Sequence, residues 1–162
     1  MSGTVKLVST ILPQGAETPY NKKVHNRGLM TTATITENIL SHTQELCNAL
    51  KQNYINDCVR HHERSIVTEP NSKYHIERIE ELKSGVCDYD FVIESGRKYH
   101  KIVMVNNQRS VHAFVDKKTG QVYKPAGWKS PAKHVRYDLR IIKDREYVLE
   151  NADWAGGYLY KR

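Results

Sequence analysis

A chain of 162 residues, 39% hydrophobic and 27% charged, suits one domain with a real core on the polar side of the globular range. Nothing in it approaches the ~18 consecutive apolar residues of a membrane-spanning helix, and the run VKLVSTIL near the start is too short for a signal peptide. Three scattered cysteines, Cys47, Cys58 and Cys87, form no CxxC and are odd in number, so reduced buried thiols in a cytosolic compartment are expected rather than a disulfide framework. The net charge of +7 and a pI near 9.3 favour phosphate-rich partners or simple solubility.

In chain order, residues 1–33 are mixed. VKLVSTIL reads as an edge strand, and the turn-rich, basic PQGAETPYNKKVHNRG as a loop or arm. Residues 34–162 are expected to form a single α+β domain. Thr34-Ile35-Thr36-Glu37 fits a capping box. Behind it Ile39, Leu40, Thr43, Leu46, Cys47, Leu50, Tyr54 and Cys58 recur at spacings of three and four, which predicts an amphipathic helix from about 35 to about 62. His61 and His62 then fall at a solvated helix end. They are adjacent, so they point about 100° apart and make a poor metal pair.

Pro70-Asn71-Ser72 is a turn. Tyr74, Ile76 and Ile79 alternate loosely enough to predict a strand over 73–79, with a short helix through IERIEEL as the competitor. VCDYDFVIE alternates strictly, with Cys87, Tyr89, Phe91 and Ile93 on one side, and predicts a half-buried strand. Three more runs follow, KYHKIVMV, SVHAFVD and QVYK, cut by turn signals at Ser95-Gly96, Asn106–Arg109 and Asp116–Gly120. Gly120 is expected at positive φ. VRYDLRII reads as one more strand. DREYVLENAD reads as a short helix with Asp144 as its N-cap, and WAGGYLYKR as a tail that docks back on the body. The expected fold is α+β: an antiparallel meander of four to five strands against one long amphipathic helix, with a short C-terminal helix.

Charge is strongly segregated. From Arg97 to Lys143 there are twelve Lys/Arg against two Asp, whereas residues 63–94 carry four Lys/Arg against eight Asp/Glu. Aromatics are interleaved with the cations, among them Tyr99, Phe114, Tyr123, Trp128 and Tyr137. Cations neutralise phosphates and aromatic faces stack on exposed bases, so this segment is the candidate interface for nucleic acid or another polyanion. Lys124, Trp128, Lys129, Lys133, Arg136 and Arg140, in or around the stiff loop between Pro125 and Pro131, are the candidate binding residues.

No GxSxG, HExxH, Walker loop or GxGxxG is present, so neither catalysis, metal nor cofactor is expected. His100 and His112, on neighbouring strands, could face each other as a cross-strand polar pair, a metal site or an acid–base pair. Asp116 and Asp138 are too few for a magnesium-dependent nuclease centre.

The stretch SVHAFVDKKTGQVYKPAGWKSPAKHVRYDL, followed by ADWAGGYLY, resembles small proteins of tailed phages and large DNA viruses. These share an SVHxFVDxxTGxVYKxAxWKxPAKxxR(Y/F) segment and a short Trp-Gly-aromatic tail. The matching positions include Val111, His112, Phe114, Gly120, Tyr123, Lys124, Trp128, Lys129, Pro131, Lys133 and Arg136. His134 departs from the pattern, where glycine is expected. The resemblance covers roughly residues 98–160 and implies a viral setting, in the host cytoplasm or the virion, without supplying a mechanism. It leaves three partners in play: nucleic acid, virion proteins met during assembly, or a phosphorylated nucleotide sequestered by the loop GWKSPAK.

Overall fold

The computed structural model describes residues 32–160, so the arm or edge strand expected at residues 1–33 lies outside the described residues except for residues 32 and 33, which belong to a helix. The chain from Thr36 onward makes one compact unit. Its elements in order are α1 (Thr32–Thr68), α2 (Lys73–Lys83), β1 (Asp90–Ser95), β2 (Tyr99–Val105), β3 (Arg109–Asp116), β4 (Gln121–Tyr123), β5 (Tyr137–Asp138) and α3 (Ile142–Asn151). A single 3-10 turn over Gly157–Leu159 follows them. The fold is the expected α+β arrangement, with five antiparallel strands in the order β1-β2-β3-β4-β5.

α1 extends beyond the expected bounds at both ends. It starts before Thr34, which therefore lies inside the helix and does not cap it. It also continues past His61 and His62, because nothing between them and Pro70 breaks a helix. Its end is closed locally: Thr68 Oγ1 donates to the Ser65 carbonyl at 2.9 Å, as does the Glu69 N–H. Ile39, Thr43, Leu46, Cys47 and Leu50 are buried, so this part of the apolar stripe lies where its spacing placed it, whereas Leu40 is exposed and Tyr54 and Cys58 are only half-buried. Burial, with the Asp90 carboxylate nearby, pushes the Cys47 thiol up to about 12, as suits a packing residue with no redox role.

Residues 73–83 form helix α2, not the expected strand. The apparent alternation at Tyr74 and Ile76 belongs to exposed side chains. The residues that pack are Ile79 and Leu82, three apart, against Ile55 and Val59 of α1. Arg78–Glu81 at 2.7 Å and Lys73–Glu77 at 3.5 Å add helical ion pairs. The helix ends in a Schellman motif: Val86 N–H donates to the Glu81 carbonyl and Gly85 N–H to that of Leu82, both at 3.0 Å. The His62 and His75 Nδ1 atoms lie 2.8 Å apart and tie the two helices together.

Within the sheet, cross-strand rows define two faces. Ile93–Ile102–Ala113 and His100–Val115–Val122–Tyr137 form the inner face, which packs with α1 and the tail. Glu94–Lys101–Phe114–Tyr123 and Val92–Val103–Val111 form the outer face. Ile102 pairs with Ala113 but Val103 with Val111, so His112 is the extra residue of a β-bulge. His100 stands opposite Val115, so His100 and His112 are not the cross-strand pair their positions suggested.

Asp116 Oδ1 accepts the N–H groups of Lys118 and Thr119, and Gly120 closes this turn at φ +73°, as expected. The strand expected at VRYDLRII shortens to Tyr137–Asp138. Asp144 sits in the first turn of α3 rather than at its N-cap, which is Ile141, and Asp144 Oδ2 accepts the Asp138 N–H at 2.9 Å. The tail does dock: Leu159 is buried and the Tyr137 hydroxyl donates to the Tyr158 carbonyl at 2.5 Å.

Candidate nucleic-acid interface

Between β4 and β5 the chain makes a narrow projecting loop. Pro125 and Pro131 face each other across it but have no N–H to donate. Their neighbours close it instead: Ala132 N–H donates to the Lys124 carbonyl at 2.7 Å and Ala126 N–H to the Ser130 carbonyl at 3.0 Å. Trp128 and Lys129 are carried at the tip.

The tip folds back over the outer face of the sheet. Lys101 Nζ lies 4.2 Å from the Trp128 ring centre and the Arg109 guanidinium 5.8 Å from it. The Glu94 carboxylate pairs with Arg109 and, at 4.0 Å, with Lys101, so this acid holds both cations against the indole. Trp128 remains 43% exposed, enough to offer an edge or part of a face to a ligand. Beside it is a groove of about 290 Å³ lined by Arg97, Lys98, Tyr99, Lys101, Phe114 and Lys129, with Glu94 at one side. Tyr99 stands edge-on to Phe114 and Tyr123, so an aromatic floor underlies the cations.

The six expected binding residues divide. Trp128 and Lys129 belong to this groove. Lys124 turns to the other side of the loop, where its Nζ sits 4.3 Å from the Tyr160 ring centre. Lys133 is exposed beside His134, whose φ of +76° is the left-handed conformation that glycine adopts freely. Arg136 is half-buried and its N–H donates to the Val122 carbonyl. Arg140 lies 3.9 Å from Asp138 and packs beside Gly120. The groove's remaining cations, Arg97, Lys98 and Lys101, come from the β1–β2 turn and β2, and Arg109 of β3 joins Lys101 at the indole. Their signal in the sequence was alternation: Lys101 is in phase with the outer-face residues Glu94 and Phe114 once the register is known.

On the far side of the loop lies a cleft of about 370 Å³, walled by Ser110, His112, Lys124, Trp154, Gly156 and Tyr160. It joins the two stretches that carry the family resemblance, SVH and the Trp-Gly-aromatic tail. His112 is stacked on Tyr158, and its Nε2 shares a hydrogen bond with the Tyr158 hydroxyl at 2.9 Å. Burial pushes the His112 imidazole down to about 4 against the opposing pull of Asp153.

His100 is held by Ser95 at 2.7 Å and is likewise lowered by burial, then by Lys117. Among the described residues no group of three or more His, Cys, Asp or Glu is placed to hold a metal ion, and no helix is long and apolar enough to cross a membrane.

Residues 23–161 match a protein family described as a family of unknown function (DUF7717). No curated protein and no solved structure matches the chain.

Proposed function

The chain belongs to the DUF7717 family, and we propose that it is a non-enzymatic binding protein that holds single-stranded nucleic acid on the outer face of its sheet. One observation carries this reading. Arg97, Lys98, Lys101 and Lys129, drawn from separate parts of the chain, line one groove with Tyr99, next to a half-exposed Trp128. Cations spaced along a groove meet a phosphate backbone, and aromatic rings between them meet unpaired bases. A duplex offers no base faces to such a surface, so single strands are preferred. The viral setting implied by the resemblance is compatible with a protein that coats or guards exposed strands.

The test is binding of single- and double-stranded oligonucleotides at two salt concentrations. Tight single-strand binding with a steep salt dependence is expected. Replacing Arg97, Lys98 and Lys129 together by Ala should flatten the log–log slope by about 0.7 for each phosphate contact removed. Folding should persist, because exposed charges seldom contribute more than ~1 kcal/mol. Absence of binding to either nucleic acid at low salt would discard the reading in favour of an assembly protein.

A further inference from the structure

The cleft behind the loop and the basic groove are linked by neighbouring residues. Val111 and Pro125 line the cleft, and the same two residues line a shallower depression of about 230 Å³ that ends on Trp128. Trp128 in turn carries Lys101, which lines the groove. Groove, indole and cleft therefore lie next to one another along the loop. We propose that the cleft is a pocket for one nucleotide, receiving a terminal or unstacked nucleotide of the strand. This rests on the reading of the outer face as a single-strand surface.

The chemistry fits a base with an attached phosphate. At about 370 Å³ the cleft is in the size range of small-ligand sites, and like them it is mainly apolar with a few placed polar groups. Its aromatic walls are Trp154 and Tyr160. Trp154 is fixed from outside the cleft: its backbone N–H donates to Asn53 Oδ1 at 3.0 Å and its indole N–H to Asp57 Oδ2 at 3.3 Å. A ring held in this way offers a face at little entropic cost. His112 is fixed by Tyr158 and presents its Cε1 edge toward Gly156. Lys124 is the one cation of the cleft wall among the described residues, where its Nζ rests on the Tyr160 ring and not on a carboxylate; the acid beside the cleft is Asp153, which acts on His112. Ser110, exposed at the start of β3, adds a hydroxyl. An apolar peptide would leave Lys124 uncompensated, and inorganic phosphate would leave the aromatic walls unused.

The chain has two tryptophans, so Trp128→Phe leaves Trp154 as the sole indole reporter. In that background, adenosine 5′-monophosphate is titrated against Trp154 fluorescence, with ribose 5-phosphate as the baseless control. Saturable quenching by the nucleotide is expected. It should weaken at least about tenfold in Lys124→Met, and in Ser110→Phe, which fills the cleft from an exposed position. Ala155→Phe fills the same space from the tail and guards against a local fault in either variant. Lys129→Ala, in the groove, should leave mononucleotide binding unchanged while weakening oligonucleotide binding.

No saturation up to about 10 mM, or equal quenching by ribose 5-phosphate, overturns the pocket. Unchanged binding in both filled-cleft variants does the same. These outcomes are distinguishable from the oligonucleotide measurement: a protein that binds strands but fails here loses only the pocket, and one that binds the mononucleotide but no strand keeps a nucleotide pocket and loses the strand, for the outer face and the cleft alike. On strands, replacing the terminal nucleotide by an abasic one should weaken the wild type about tenfold, within the range of one stacked base, and should leave Ser110→Phe unaffected.

Discussion

At the scale of single residues, the bulge at His112 has a pH consequence. The extra residue turns this imidazole toward Phe91 and Tyr158, where burial lowers its affinity for a proton from 6.5 to about 4. Between those pH values the unfolded chain binds the proton and the folded chain does not, so stability falls as pH drops from about 6.5 toward 4. Two and a half pH units correspond to on the order of 3 kcal/mol. His62 and His100 are lowered too and act in the same sense, so the difference between proteins is the useful measure. Urea midpoints over pH 4 to 7 should rise less steeply in His112→Gln than in the wild type; equal slopes would refute the buried neutral imidazole. Two turn positions make a matched pair. Gly120 at φ +73° would bring a β-carbon to 3.1 Å from Arg140 Cγ, so Gly120→Ala should cost about 1–2 kcal/mol. His134 already bears that strain at φ +76°, so His134→Gly should be neutral or stabilising by up to about 1 kcal/mol, after the added freedom of the unfolded chain is subtracted. Thermal melts of the two variants should therefore move in opposite directions, or the second not at all.

At the scale of elements, α1 shows how a stripe can be right and still drift. Leu46 and Leu50 are fully buried where the spacing put them, so Leu50→Ala should cost roughly 2–5 kcal/mol, whereas Asn48→Ala, on the exposed side, should change little. Equal shifts in denaturation midpoint would contradict this packing. Farther along, the expected stripe positions Tyr54 and Cys58 are only half-buried, and Ile55 and Val59 are the buried ones. The cause is α2, which packs on that side through Leu82. A strand at 73–79 would have placed no such partner there, so the error in α2 and the drift in α1 are one event. Tyr74 and Ile76 imitated strand alternation because exposed apolar residues carry no record of being exposed. The Schellman ending at Gly85 was readable: a glycine two residues beyond Lys83 is a helix stop.

At the scale of the whole molecule, legibility followed sequence distance. The meander was readable because each strand pairs with its neighbour across a short turn, and turns such as Asp116–Gly120 carry their own chemistry. The groove was only half readable. Trp128 and Lys129 stood out in their loop, but Lys101, Arg109 and Glu94 join them through registers and a bulge that no local pattern encodes. The cleft was not readable at all, since Ser110 and Trp154 meet only when the tail docks. That docking makes the tail a structural strap. Trp154 is bonded to Asn53 and Asp57 of α1, Tyr158 to His112 of β3 and Tyr137 of β5, and Leu159 is buried. Burial of Leu159 alone contributes about 1.5–3 kcal/mol, and each hydrogen bond about 1 kcal/mol more. Against a total stability of about 5–15 kcal/mol, their loss removes a large share and exposes His112 and Tyr137 to water. Deleting residues from Asp153 onward should therefore abolish the cooperative urea transition or bring its midpoint close to zero denaturant. Tyr160→Ala should leave the unfolding free energy within about 0.5 kcal/mol of wild type, since that ring is 66% exposed. A truncated chain that kept the wild-type midpoint would show that helix and sheet cohere without the strap, and that the cleft is assembled after folding rather than by it.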